Sequence, residues 1–408
     1  LDRILNYIQK KGFEGELFFT ESENWSYVKG KRSESKEYYR ERGYAVRVLK
    51  KEELGFAFFE DKNKFRNAVD LAIKTRTRSP NFSFPNPQKY RKVDNCYSKI
   101  RSFNIDDAME QILDETKGRD TKSVVEMEIA KEEVCNTNGV EAKEVSTAFY
   151  GYAHVNFENS TAHYSEESIK PFDFSKIGRN AYEYSKDMNK ANKINEKTNI
   201  VFSTPALLEF LSSFLYPAID GDGVRRNSSF FNGKLNKKVA GRNLSILENP
   251  FEGFSSCSFD DEGNKTERKS VIQEGILKNF FYDQKNALAE KKEKKPASAG
   301  NAVRASYKTP PHIGMTNIEI GSGKQSIDEK NLFHIISFFG EHTANEITGD
   351  FSINVDIGYF RGKPVKNVTI SDNFFSMLNR IEGIGKERER WGSILSPKIE
   401  FADCFVKG

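Results

Sequence analysis

The chain has 408 residues, of which 63 are basic and 59 acidic, for a formal net charge of +4. That balance argues against a nucleic-acid face built on positive charge. No apolar run reaches the 18 or so residues that a membrane-crossing helix needs. Mean hydropathy is low, at −0.66, but 33 Phe and 16 Tyr supply apolar area for a sizeable core. Cys96, Cys135, Cys257 and Cys404 are scattered and form no C-x-x-C pair, which suits a reducing cytoplasm and excludes a zinc ribbon or dithiol motif. At roughly 100–200 residues per domain, the length predicts two or three units.

Ile4, Leu5 and Ile8 share one face of an N-terminal helix without signal-peptide character, which Gly12 ends. Strands are expected over 16–20 and 25–29. Tyr44, Val46 and Val48 alternate about Arg47 as a half-buried strand, paired with 54–59. A helix follows over 65–74, with Phe65, Val69 and Ala72 on one stripe. The proline-rich segment 79–87 reads as a linker. Beyond it come a helix over 105–116, an exposed strand over 124–134, a hairpin turn at Asn138-Gly139, strands over 147–156 and a helix over 174–189. The polar stretch 190–197 marks a second boundary.

The last part opens with a strand over 199–203 and a helix over 205–215 with a strongly apolar face. Strands are then expected at 244–247, 270–282, 316–320, 351–359 and 365–370, followed by a late helix over 374–384 and a closing strand over 396–406. The lysine-rich piece 289–300 reads as an exposed loop, its Lys291, Lys292, Lys294 and Lys295 blunted by Glu290 and Glu293. The fold class is α+β: an N-terminal hairpin-and-helix unit over 1–80, a central antiparallel unit over 98–192 and a strand-rich C-terminal domain over 196–408.

A zinc hydrolase needs imidazole or thiolate ligands and a carboxylate base. The chain has five histidines. His154 and His163 lie among aromatic residues, and His312 follows a Pro-Pro pair. The best metal cluster is His334, Glu341, His342 and Glu346, in which His342 and Glu346 would share a helical face. Solvated or core histidines are the blander and preferred reading. Ser212 and Ser213 have no G-x-S-x-G elbow and read as helix-packing serines. Asp220, Asp222, Arg225 and Arg226 form a dense charged turn, either a peptide or partner edge or a salt-bridged support. Asp260-Asp261-Glu262 lacks an EF-hand pattern and reads as a hairpin turn, with Gly263-Asn264 supplying positive φ.

Four blocks in order carry a family resemblance. Gly43 to Val48 with Gly55-Phe56-Ala57 is the first. The second is Gly221-Asp222-Gly223-Val224-Arg225-Arg226-Asn227-Ser228-Ser229-Phe230-Phe231. Phe259 to Gly263 with Val271 to Lys278 is the third, and Thr348 to Ser352 with Gly358-Tyr359 and Gly362 to Val365 is the fourth. Together they resemble the TldD/PmbA family, also called "modulator of DNA gyrase", which contains zinc peptidases. The resemblance implies a mixed sheet in the C-terminal domain and places the charged turn beside the family's active-site helix. The His-Glu-x-x-x-His positions of the TldD branch fall on Ser212, Ser213 and Pro217, and the cysteine-ligand position falls on Val355.

This departure implies the PmbA/TldE-like branch: no catalytic or metal-binding residue in this chain, and zinc in a TldD-like partner. The implied assembly is a TldD/TldE-type heterodimer, or a homodimer in isolation, that encloses unfolded peptides in the cytoplasm. Two alternatives stand beside it. One is an independent hydrolase at the His334 cluster. The other is a nucleic-acid-associated gyrase modulator, which the charge balance does not favour.

Overall fold

The computed structural model describes residues 1–292, 297–340 and 344–408. Helix α1 (Asp2–Lys10) leads into β1 (Glu14–Gly30), β2 (Glu34–Lys50) and β3 (Glu53–Phe59), then α2 (Phe65–Lys74) and β4 (Thr77–Arg78). Helix α3 (Ile105–Glu115), β5 (Asp120–Asn136), β6 (Glu141–Phe157), β7 (Ser160–Ser168) and α4 (Ser175–Met188) follow. The seven strands form one antiparallel sheet in the order β4-β3-β2-β1-β5-β6-β7.

The expected strands at 16–20 and 25–29 are a single strand, β1. Ser22 and Asn24 interrupt the apolar alternation because they lie on a polar face, where they bond to each other at 2.8 Å, and not because the chain turns. One end of this sheet is buried on both faces. Leu17, Val46 and Val48 pack under Ile4, Ile8, Val69 and Ala72 of α1 and α2. The opposite face presents Phe18, Ala45 and Val134 to Phe259 and Tyr307. At the other end α3 and α4 cover one face through Met109, Ile112, Ile177 and Ala181.

The segment 79–87 is not a free linker. Phe82 and Phe84 are buried, and Asn136 and Asn138 donate their side-chain amides to the Pro85 and Phe84 carbonyls at 2.9 Å. In the adjoining turn only Gly139 is left-handed, at φ +97. Asn136 Oδ1 organises it by accepting from the Asn138 and Val140 amides, so the Asn-Gly pair does not make a type I′ turn.

The C-terminal half comprises β8 (Asn195–Phe202), α5 (Thr204–Ile219), α6 (Gly221–Arg225), β9 (Ile246–Glu248), β10 (Lys269–Gln273), β11 (Ile276–Leu277) and α7 (Gln284–Lys292). A small ribbon, β12 (Ala302–Val303) with β13 (His312–Ile313), precedes β14 (Ile318–Ile320), β15 (Phe333–Phe339), β16 (Asp350–Phe360), β17 (Lys363–Val365) and β18 (Val368–Asn373). Helix α8 (Phe374–Met377), β19 (Ile381–Trp391) and β20 (Ile394–Lys407) end the chain. The larger sheet is mixed: β14 runs parallel to β20 and β15 parallel to β8, while β20 also pairs with β8 and so closes the sheet in a barrel-like way. The architecture is α+β, as the sequence implies.

Two elements differ from expectation. The helix over 374–384 lasts one turn, and residues from Ile381 onward pair with β20 instead. The lysine-rich loop begins as helix α7, in which Glu290 is buried against Arg225 at 3.0 Å; residues 293–296, including Lys294 and Lys295, lie outside the described residues.

Candidate functional site at the α5 cleft

Ser203 starts α5. Its hydroxyl accepts from the Ala206 amide at 3.3 Å and donates to the Ile336 carbonyl at 2.8 Å, tying the helix start to β15. Pro205 sits in the first turn, where its missing N–H costs nothing. Phe210, Phe214 and their apolar neighbours fill the C-terminal core: Phe210 stacks on Phe202 with ring centroids 4.7 Å apart and meets Phe351 edge-on at 5.1 Å. This packing fixes which residues of α5 remain open.

Ser212 is exposed and lines a cleft, while Ser213 is half-buried and donates to the Glu209 carbonyl at 2.9 Å. Pro217 lies in the last part of the helix. Val355 is buried in β16, opposite Phe338 and Val368. Two hydroxyls, a pyrrolidine ring and an isopropyl group do not form a zinc donor set. Among the described residues no group of three His, Cys, Asp or Glu is placed to hold a metal.

The cleft beside α5 has a volume of about 530 Å³ and is walled by β7, α4, α5, β15, β19 and β20. It lies within the range of small-molecule sites, about 300–1,000 Å³. His334 of β15 lines it, with Nδ1 2.9 Å from Glu329 Oε2, while its Nε2 is buried and has no partner among the described residues. The hydrogen bond from His334, assisted by Lys398 at 3.3 Å, holds the Glu329 carboxyl down to about 2. Lys176 of α4 pairs with Glu166 at 2.9 Å; burial opposes its charge, but Glu166 and Tyr164 outweigh burial and raise its pKa. Glu389 accepts from the Thr204 hydroxyl at 2.6 Å, and Trp391 donates to the Ser165 carbonyl at 3.2 Å.

The other histidines are dispersed. His163 also lines the cleft and sits opposite His154 in the β6–β7 register. Burial lowers the His163 pKa against the pull of Asp356, 3.7 Å away. His312 is exposed on β13. The proposed metal cluster is only partly visible, because Glu341 and His342 lie outside the described residues. Glu346 is exposed in a turn over 345–349 organised by Asn345, not on a helix, and His334 has Glu329 as its carboxylate.

In the charged turn, Asp220 caps α6 by accepting the Asp222 and Gly223 amides at 2.8 and 3.3 Å. Arg225 pairs with Glu290, and Arg226 with Asp222 at 2.6 Å. Asp260 organises its own turn by accepting the Glu262 and Asn264 amides, and only Gly263 there is left-handed, at φ +80. Sequence reasoning missed Lys176, Glu329, Glu389, Trp391 and Lys398. Their spacing carries no periodic signal, and only the folded chain brings them together.

A family model described as the PmbA/TldA metallopeptidase C-terminal domain matches residues 195–408, and the corresponding domain 1 matches residues 17–76. The chain belongs to the PmbA/TldD family. The uncharacterized protein MJ0231 of Methanocaldococcus jannaschii is 30% identical over 417 residues, covering 98% of each chain. A metalloprotease of Archaeoglobus fulgidus is 30% identical over 183 residues, 42% of this chain and 41% of that one. The crystal structure of TldE from Thermococcus kodakarensis shares the fold at a TM-score of 0.87 and 19% identity, covering 100% of this chain and 99% of the other. The PmbA/TldD fold thus accounts for both sheets and for the placement of α5.

Proposed function

We propose that this chain is a PmbA/TldE-like, non-catalytic subunit of a TldD/TldE-type metallopeptidase that acts on unfolded peptides in the cytoplasm. One observation carries the reading: α5 presents Ser212, Ser213 and Pro217, and β16 buries Val355, where the catalytic branch is expected to hold its base and metal ligands. Zinc chemistry then belongs to a TldD-like partner. This chain supplies walls and a docking surface, with the units 1–80, 98–192 and 196–408 as its working division.

Two surfaces suit that role. Among the described residues, 34–43 of β2 pair only with β1, because β3 begins its pairing at Tyr44, so this length of strand offers its outer edge to an added strand. Asp222 and Arg226 are the open part of the charged turn, whereas Asp220 and Arg225 are engaged internally.

The test is metal content and hydrolysis of an unfolded peptide, measured for the chain alone and after co-expression with a TldD-like chain. The expected outcome is no stoichiometric zinc and no hydrolysis alone, with co-purification and activity in the pair. About one zinc held tightly per isolated chain would overturn the proposal.

A further inference from the structure

Residues 34–42 of β2 are all exposed, and among the described residues no strand lies along their outer edge. On such an edge alternate residues turn their backbone N–H and C=O groups outward, ready to bond a further strand. Tyr38 and Tyr39 stand here with 58% and 51% of their surface open, one on each face of the sheet. The charges are sorted by face, since residues directly opposite in a ladder share one. On one face Lys36, Arg40 and Arg42 lie beside Tyr27, Glu23 and Glu21 of β1. Lys36 is already paired with Asp106 of α3, and Arg40 with Glu21 at 2.9 Å. On the other face Glu37, Tyr39 and Glu41 lie beside Ser26, Asn24 and Ser22, and beyond Ser26 and Asn24 come Glu126 and Glu128 of β5. Neither Glu37 nor Glu41 has an ion pair among the described residues. Burial, then Glu126, Glu128, Glu41 and Glu37, raise the pKa of the Tyr39 phenol, so four carboxylates gather about one ring. Charges that only guard an edge against aggregation need no such sorting. Here carboxylates answer most of the cations on one face, and the other face is left acidic.

We infer that this edge binds an extended segment of a partner chain with Lys or Arg at positions i and i+4 and an apolar residue between them at i+2. The segment lies in line with β3. Its backbone bonds to the outer edge of 34–43, its two cations meet Glu37 and Glu41, and its central side chain covers Tyr39. The residues at i+1 and i+3 fall on the other face, beside Tyr38 and Arg40, where small polar side chains suffice. A second copy of this chain is the poorer occupant. Antiparallel self-pairing sets residues of equal parity opposite one another. Within 34–43, Glu37 and Glu41 would then meet Ser35, Tyr39, Gly43 or one another, and never a cation. The inference deepens the subunit proposal by naming the chemistry of the added strand, and it rests on that proposal's open β2 edge. Its measurement uses the isolated full chain and synthetic peptides, so its failure leaves zinc content and co-purification to decide the subunit proposal separately.

The experiment is fluorescence anisotropy of a dye-labelled peptide, Thr-Lys-Thr-Val-Thr-Lys-Thr, titrated with the chain at low salt. This peptide is expected to bind. Its isomer Thr-Lys-Lys-Val-Thr-Thr-Thr keeps the charge but puts the lysines on opposite faces, and should bind about fivefold more weakly. Replacing both lysines of the first peptide by glutamates should abolish binding. Glu37→Gln and Glu41→Gln should each weaken the first peptide about two- to fivefold. The double variant E37K/E41K should reverse the preference, toward the glutamate peptide. Both positions are exposed, so these variants keep the fold. Light scattering of the same samples covers the second copy. Absence of binding, equal affinity for the two lysine peptides, or unaltered affinity in the variants overturns the inference, as does a dimer whose dissociation constant shifts in E37K/E41K.

Discussion

The core around α5 and the seam between the two halves of the molecule are both thoroughly buried, yet opposite chemistries hold them. Beneath α5, Phe202, Phe210, Phe214, Phe351 and Phe374 pack ring on ring, with no charge among them. At the seam, Arg47 of β2 is buried between Glu16 of β1 and Glu262 of the 259–265 turn, with bonds of 2.9 and 2.7 Å, and Arg304 reaches the same Glu16 at 3.0 Å. Arg47 and Glu262 are 215 residues apart in the chain. Dispersion and dehydration stabilise the first region whatever the details of register. The second region is stable only when every charge has found its partner, so it fixes how the halves dock more than it adds to net stability.

The largest effects should come from breaking each region by one side chain. Phe210→Ala empties a central ring site and is expected to cost about 3–5 kcal/mol. Arg47→Ala takes the paired cation from buried Glu262 and leaves buried Glu16 with Arg304 alone, and should cost roughly 3–5 kcal/mol. Denaturant titration measures both, and replacement of all partners separates them. Substituting Arg47, Glu16, Glu262 and Arg304 together by apolar residues of similar size should recover most of the loss, since these four charges pair with one another. If the quadruple variant is no better than R47A, the seam contributes more net stability than this comparison allows.

A smaller effect tests how many charges the seam tolerates. Glu132 of β5 faces Glu144 across the β5–β6 pair. Burial, followed by Glu144 and Glu128, pushes its carboxyl from 4.5 up to about 7. The folded chain therefore holds a proton that the unfolded chain has released between those values. Stability contributed by the protonated form is complete below about 4.5 and is lost as pH rises toward 7. Glu132→Gln should flatten that part of the stability–pH curve and raise stability at neutral pH by about 1–2 kcal/mol. An unchanged slope in thermal unfolding across that window would show that Glu132 ionises freely.

The same contrast explains what could be read in advance. The stripe of Phe65, Val69 and Ala72 gives α2 its limits at 65–74, and the apolar face of α5 is plain because its neighbours follow helical spacing. Apolar spacing also misleads: Phe374, Met377, Leu378 and Ile381 imitate a helical face, but Ile381 already belongs to β19. Arg47 and Glu262 look like surface residues in any local window, because burial of a charge depends on a partner that the window does not contain. The cleft was legible only at Ser212, through family resemblance, and at His163 and His334, as rare histidines. Lys176, Glu389 and Lys398 are ordinary charges until β7, α4 and β20 converge.

The smallest predictions lie at the two ends of α5, where a single helix joins the buried core to the solvent. Ser203→Ala removes the N-cap and the bond to the Ile336 carbonyl, and should cost about 1 kcal/mol. At the other end, Asp222→Ala removes only the exposed i,i+4 pair with Arg226, whose guanidinium side is 69% exposed. Water and salt screen such a pair, so the expected loss is about 0.3–0.5 kcal/mol and should shrink further at high ionic strength. If D222A instead matches S203A in denaturant titration, the turn stabilises the fold as much as the cap does. If D222A leaves stability nearly unchanged yet abolishes co-purification with a TldD-like chain, the pair works as a docking contact, because solvent already meets its electrostatic needs in the isolated chain.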